Sequence, residues 1–439
     1  MYFRQNLFIN DNSTQGQSIH KITQRIHTFC ESLCPLCLRA KKINQMKNSF
    51  YKYIAQTSDT PIAIEVERAE GVYFYDTSGK KYLDLIAGIS VCNMGHSYPT
   101  IINAVKEQID KYMHVMVYGE LIQQSQVELA DILCSFLPAS LNSVFFVNSG
   151  SEAVEGALKL AKRYTGRTEL IHFENAYHGS SHGAMSVMGN QTYKSAFQPL
   201  LPDTKAIRFG VEGDLQQITE KPAAIIVELI QGEAGVRMAT AEYWQKLKQR
   251  CEETNTLLIA DEIQTGLGRT GKLFAFEHYN IIPDILLLGK AFGGGMPLGA
   301  FVADTKTMNV LTYNPVLGHI TTFGGHPVCC AAGLAHLKLI TENKMWENAE
   351  IMGEKLEAIL WKIPHVKEIR RKGLMMAVDF HDKQTNFKTL HSFLQKGLFS
   401  DWFLWCDTAL RVAPPLVINK EELREVDKLI TSLLKQNSG

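Results

Sequence analysis

Net charge is missing from this 439-residue sequence: 45 lysines and arginines face 45 aspartates and glutamates. That balance gives no global field to gather nucleic acid or an anionic membrane surface. Long apolar runs are missing too, and none approaches the roughly 18 residues that a membrane span requires. The first residues, M-Y-F-R-Q-N-L-F-I-N-D-N, lack the sustained apolar core of a secretory signal. Cysteine is scarce and odd in number, nine in all, with no framework in the part expected to fold. Reduced thiols and a cytoplasmic setting are therefore expected. Cys30, Cys34 and Cys37 form a C-x3-C-x2-C cluster whose spacing can hold an iron–sulfur centre. Nothing downstream supplies such chemistry, and no metal is expected. Internal repeats and low-complexity linkers are also absent. At this length the chain can bury most of its apolar surface and divide into about two domains.

What is present changes character along the chain. Residues 1–45 are polar and basic without clear periodicity, and an extension without stable structure is expected there. From Ile64 a β-meander is expected, with Val72, Phe74, Tyr82, Leu83 and Leu85 at its apolar positions and D-T-S-G-K at 76–80 as its turn. The small-residue segment 86–96 suits close backbone approach, and residues 100–113 and 123–136 have helical spacing. Then strands and helices alternate. Strands are expected at Val144–Val147, Leu170–Phe173, Ala223–Ile230, Leu257–Ala260 and Ile285–Gly289, and helices at Ser151–Tyr164 and near 241–254. Such alternation implies an α/β fold around a mostly parallel sheet covered on both faces. Beyond about residue 335 come a long helix, a strand pair near 366–380, another helix, A-L-R-V-A-P-P-L at 409–416 and a last helix at 420–435, the pattern of a smaller α+β domain.

Four polar sites stand just beyond expected strand ends, where ligands bind in open α/β sheets. N-S-G-S-E at 148–152 puts Gly150 and Ser151 at a helix start, whose N–H groups and dipole suit a phosphate, although an ordinary helix cap looks the same. E-N-A-Y-H-G at 174–179 offers Tyr177 and His178 beside glycine, an aromatic that can stack on a flat ring or simply fill the core. Asp261 follows the apolar run L-L-I-A and requires a cationic partner, with Gln264 near it if the chain turns. Lys290 ends the run I-L-L-L-G, before a loop holding Gly293, Gly294, Gly295 and Pro297. A lone lysine there usually snorkels to the surface. A desolvated one is a nucleophile able to form a Schiff base with an aldehyde. Taken in order, the four amount to one specification: a phosphorylated pyridine aldehyde, held by an imine, a ring-nitrogen carboxylate and a phosphate cup.

The motifs V-N-S-G-S-E-A-V-E-G-A-L-K-L-A-K-R-Y-T-G-R (147–167), V-E-L-I-Q-G-E-A-G-V (227–236), D-E-I-Q-T-G-L-G-R-T-G (261–271), G-K-A-F-G-G-G-M-P-L-G-A (289–300) and T-T-F-G-G-H-P (321–327) occur in this order. With them the chain resembles the class III pyridoxal-phosphate-dependent aminotransferases from about Phe50 to about residue 436. The resemblance implies fold type I of the pyridoxal-phosphate-dependent transferases, with a seven-stranded-type sheet. It implies an extension at 1–45, a segment at 46–95 packing with the small domain, a large cofactor-binding domain at 96–335 and a small domain at 336–439. It also implies pyridoxal 5'-phosphate as cofactor. Lys290 then matches the Schiff-base lysine and proton shuttle, Asp261 the pyridinium partner and Gln264 the donor to the phenolic oxygen. Gly150 and Ser151 match the phosphate cup, Tyr177 the stacking aromatic with His178 beside it, and Thr322 a phosphate ligand reaching over from the second chain of a homodimer. Arg411 matches the grip on the α-carboxylate of glutamate, Glu233 the carboxylate that pairs with it and swings away, and Thr321 a further substrate contact.

Departures from the family pattern bear on the substrate. Ser180 stands where the acetylornithine, ornithine and 4-aminobutyrate enzymes have an arginine for the distal or only carboxylate of the donor. Its absence favours a terminal-amine or ω-amino donor exchanging with 2-oxoglutarate and glutamate, by a ping-pong mechanism, over those three types. Val154 and His326 also depart from the pattern, with little consequence expected. A regulatory protein on the same fold would carry a DNA-binding helix-turn-helix ahead of it. Residues 1–45 are too short and irregular for one, and every chemical position is filled. Aminomutase or decarboxylase chemistry is the remaining enzymatic rival, and Arg411 with Glu233 argues for glutamate exchange instead.

Overall fold

The computed structural model describes residues 45–436. The cysteine cluster, and the extension expected at 1–45 up to residue 44, lie outside the described residues. Residues 45–65 form a unit of their own. It opens with helix α1 at 45–53. The helix ends where the Ile54 N–H donates to the Phe50 carbonyl (3.1 Å) and the Gln56 side chain donates to the Ile54 carbonyl (2.7 Å).

Residues 66–436 begin with the meander β1 (Val66–Glu70), β2 (Tyr73–Asp76) and β3 (Lys81–Asp84). Its turn closes on Asp76, whose Oδ1 accepts the N–H groups of Ser78 and Lys80 at 2.9 and 3.0 Å, as an Asx turn does. Helices α2 (Pro99–Lys111) and α3 (Gln124–Ser135) follow. The large sheet then assembles from β4 (Ser143–Val147), β5 (Glu169–Phe173), β6 (Thr204–Ile207), β7 (Pro222–Val227), β10 (Leu257–Asp261), β11 (Ile285–Leu288) and β12 (Gly299–Ala303). Helices α4 (Gly150–Thr165) and α5 (Ala241–Thr254) and the short pair β8 (Ile230–Gln231) and β9 (Arg237–Met238) lie between them in sequence. The strand order is β4-β12-β11-β10-β7-β5-β6. Only β12 runs antiparallel to its neighbours, so the sheet is mostly parallel as expected. The inner strands read as unbroken apolar runs because both faces are covered: every residue of β7, β11 and β12 is buried.

Two differences from the expected elements have physical causes. The strand expected over Ala223–Ile230 breaks after Val227, because the buried Glu228 carboxylate turns to accept the N–H groups of Tyr177 (2.8 Å) and Gly232 (3.1 Å). The run G-A-F-V-A after the glycine loop is a strand, β12, closed between β11 and β4.

The rest of the chain supplies α6 (Pro327–Glu342), α7 (Met345–Leu360), β13 (Glu368–Lys372), β14 (Met375–Asp379), α8 (Lys383–Lys396), β15 (Leu398–Phe399), β16 (Asp401–Phe403), β17 (Cys406–Val412) and α9 (Lys420–Gln436). Strands β13-β14-β17-β16 form an antiparallel sheet, and β15 pairs in parallel with β3. Among the described residues no helix is long and apolar enough to cross a membrane.

Helix α4 shows how the sequence builds this packing. Ser149 caps it, its Oγ accepting the Glu152 N–H (3.2 Å), while the Glu152 carboxylate accepts the Asn148 N–H (2.8 Å). Gly166, at φ +69°, ends it in the left-handed region. Its buried face includes Val154, Leu158 and Ala161, and Gly156 lies over the Phe301 ring of β12. A Cβ at Gly156 would come within 2.3 Å of that ring, which is itself stacked on Phe145. Gly156→Ala is therefore expected to destabilise the protein by about 1–3 kcal/mol through overpacking. A thermal melt checks this, and an unchanged Tm would mean that the ring yields freely.

Candidate active site

The carboxyl ends of β4, β5, β7, β10 and β11 point the same way, and the chain leaving each contributes to one cavity of about 190 Å³. Lys290 stands two residues beyond β11 and lines this cavity. Its φ of +46° is left-handed, a conformation that costs a non-glycine residue energy and that clusters at functional sites. Desolvation pulls its ammonium below the ordinary lysine value, and the Arg411 charge acts in the same sense. The Glu233, Asp261 and Glu228 carboxylates oppose the shift.

Asp261, the last residue of β10, is buried at the same wall. Its Oδ2 accepts from His178 Nδ1–H (2.7 Å), and its Oδ1 accepts the Ile263 N–H (3.1 Å). The buried His178 Nε2 has no hydrogen-bond partner among the described residues. Glu228 completes the acidic side, and burial pushes its carboxyl up to about 7, with Asp261 adding to the rise and His178 opposing it. Sequence reasoning assigned Glu228 no role. Its place within V-E-L-I-Q, where a charge interrupts an apolar run, was the available signal.

The opposite wall is the start of α4, with Gly150 and Ser151 at the cavity. The Ser180 N–H donates to Ser151 Oγ (3.2 Å), and the Tyr177 and Ser180 hydroxyls lie 3.2 Å apart. Gly179 is required here, because a Cβ would fall 2.1 Å from Ser151 Oγ. Gln264 also lines the cavity, and Gly232 lies close against its Oε1. The set fits a flat phosphorylated pyridine aldehyde. A helix N-terminus suits the anion, Tyr177 gives an aromatic side, Asp261 a carboxylate and Lys290 an amine.

Arg411, in β17, makes a two-pronged ion pair with Glu233: Nη1 to Oε1 at 2.8 Å and Nη2 to Oε2 at 2.9 Å. Both side chains are buried. The attraction of Arg411 holds the Glu233 carboxyl below its usual range against the desolvation that would raise it. The Leu404 N–H donates to the same Glu233 Oε2 (3.0 Å). Asp401, also unassigned from sequence, accepts from Arg411 Nε (2.9 Å).

Thr321 and Thr322 are not brought to the Lys290 cavity within one chain. Thr321 Oγ1 accepts from Asn148 Nδ2 (3.2 Å) and from the Gly324 N–H (3.0 Å), and Thr321 lines a separate cavity with Val117 and Phe146. Thr322 is exposed, its carbonyl 3.0 Å from His114 Nε2.

The family model described as aminotransferase class III matches residues 53–434. The acetylornithine aminotransferase of Methanocaldococcus jannaschii is 37% identical over 384 residues, covering 85% of this chain and 93% of that protein. An ornithine aminotransferase structure from Toxoplasma gondii ME49 matches with a TM-score of 0.83 at 29% identity, covering 90% of this chain and 96% of the other. An (S)-enantioselective omega-transaminase from Thermomicrobium roseum matches with a TM-score of 0.81 at 28% identity, covering 90% and 98%.

Proposed function

Because this chain belongs to the class III aminotransferases, which use pyridoxal 5'-phosphate, we propose that it carries an amino group from a terminal-amine or ω-amino donor to 2-oxoglutarate in two half-reactions on one site, a ping-pong mechanism. When bound, the cofactor supplies an electrophilic aldehyde and an electron sink. The observation that carries the reading is a desolvated Lys290 and a buried Asp261 lining one cavity, with the charge of Arg411, paired to Glu233, acting on Lys290.

In this reading Lys290 Nζ is the nucleophile and then the base that moves a proton at the substrate carbon bearing nitrogen. Burial helps both tasks, since it favours the neutral amine. Asp261 would hold a positively charged ring nitrogen of the bound cofactor, with His178 orienting that carboxylate. Gly150 and Ser151 would hold its phosphate, Tyr177 would pack on its ring and Gln264 would bond its phenolic oxygen. Arg411 grips the α-carboxylate of glutamate after Glu233 withdraws, and with a carboxylate-free amine Glu233 stays and neutralises the guanidinium.

Ser180 sets the donor preference. Its side chain offers a distal carboxylate a hydroxyl already near Tyr177, and no charge. A missing charge-assisted contact costs roughly 1.5–3 kcal/mol, or about 10- to 150-fold in specificity. The expected ratio of kcat/KM for N-acetylornithine to that for a simple diamine, with glutamate formed from 2-oxoglutarate as the readout, is well below one. A ratio far above one returns the protein to an acetylornithine or ornithine type, the reading that its 37% identity to the M. jannaschii enzyme favours.

Thr322 serves the phosphate of a second copy in this proposal. Exposed apolar side chains on the neighbouring segments support such a surface, among them Ile122, Val316 and Phe323. A fully active monomer by light scattering refutes it. The free cysteines Cys92, Cys134, Cys251, Cys329, Cys330 and Cys406 support a reducing, cytoplasmic setting.

A further inference from the structure

Arg411 carries more negative charge than an exchange with one carboxylate requires. Glu233 occupies the outer fork, Nη1 and Nη2. Asp401 occupies the other edge, with Oδ1 accepting from Nε at 2.9 Å. The placement follows from strand register, because Asp401 and Arg411 are cross-strand partners on β16 and β17. The Trp402 carbonyl accepts from Nη2 (3.1 Å), and the Phe403 ring lies 4.6 Å from the guanidinium carbon. All three additional contacts come from consecutive residues of one short strand.

The two carboxylates are not equivalent. A substrate carboxylate arriving from the cavity replaces Glu233 on the outer fork. At that moment a guanidinium only 4% exposed loses two of its bonds. A buried guanidinium without a counter-charge is strongly destabilised and free to change rotamer. Asp401 sits on the Nε edge and does not compete for the fork, so it stays bonded throughout the exchange. We propose that Asp401 is a positioning residue that keeps Arg411 paired and aimed while Glu233 is away, and so sets how well this chain holds substrates that carry an α-carboxylate. A carboxylate-free amine leaves Glu233 in place and does not call on Asp401. The inference rests on the proposed exchange at Arg411.

The test uses Asp401→Ala and Asp401→Asn in the cofactor-loaded protein. Two measurements are compared at pH 8: calorimetric affinity for glutarate, an unreactive dicarboxylate, and the separate half-reactions with 2-oxoglutarate and with a diamine. D401A is expected to bind glutarate about tenfold more weakly and to lose the same factor in kcat/KM for 2-oxoglutarate, through KM, as loss of one charge-assisted contact implies. The diamine half-reaction should stay within about twofold, and D401N, which keeps an acceptor, should recover most of the loss. Should alanine prevent folding, D401N carries the test on a smaller scale, with about threefold weaker glutarate binding. Unchanged glutarate affinity in the variants overturns the proposal, as does an equal loss in both half-reactions, which a merely structural role would give. A wild-type protein that binds no glutarate overturns the Arg411 reading and this inference together. Glutarate binding without diamine turnover sinks only the donor preference, and the glutarate arm still decides the role of Asp401.

Discussion

Lys290→Ala is expected to abolish transamination for practical purposes, with a loss of about a thousandfold or more. Two contributions vanish together. In the role proposed for Lys290, a positioned general base contributes about 10²–10⁴-fold, and a covalent hold on the cofactor would be lost with the same atom. The structure gives reasons to expect so large an effect from one side chain. Among the described residues no second lysine lines the cavity, so no neighbouring amine can substitute. The position is also unusual, since a left-handed φ of +46° is maintained at a non-glycine residue that opens a tight helical turn just after a buried strand. Alanine keeps the backbone cost and loses the chemistry. Borohydride reduction of the parent protein should leave the cofactor on the peptide containing Lys290, and the variant should take no such label. Near-parental turnover in the alanine variant would end this reading.

The sequence marked the residues that line the cavity better than it marked their surroundings. Asp261 and Lys290 were readable because each is a charged residue at the end of an apolar run, where burial demands a partner or a task. The start of α4 was readable because its cap and first turn are local chemistry. What stayed hidden depends on contacts distant in sequence. Asp401 looks like any surface aspartate before an aromatic pair until register sets it across from Arg411, ten residues away. Glu228 reads as a blemish in an apolar strand until the Tyr177 and Gly232 N–H groups are seen to converge on it. Strand β12 was obscured by the glycine-rich loop before it, since five small and apolar residues carry no period of their own. Thr321 and Thr322 stand apart from the cavity in one chain, and the role given to Thr322 needs a second copy, which only family resemblance suggested.

Asp261→Asn is the second large effect expected, a fall in turnover of roughly two orders of magnitude, the range for losing an electrostatic partner at a site of developing charge. The variant should fold and keep its cofactor. The reason lies in the local hydrogen bonds. Asp261 now accepts from two donors, His178 Nδ1–H and the Ile263 N–H. An asparagine oxygen can keep the bond from Ile263, but its amide nitrogen would then face another N–H at His178. The imidazole can relieve that clash by moving its proton to Nε2, which has no partner among the described residues. The change therefore leaves shape and cavity intact and removes one negative charge from the cavity wall. In the role proposed for Asp261, a cofactor ring nitrogen bound there would be less readily protonated and would serve less well as an electron sink. The check is a pair of measurements on one preparation. Cofactor content by absorbance should match the parent, and kcat for glutamate formation should fall about a hundredfold. Equal rates in variant and parent would contradict the role given to Asp261, and loss of the cofactor would show that its main task is to hold the ring in place.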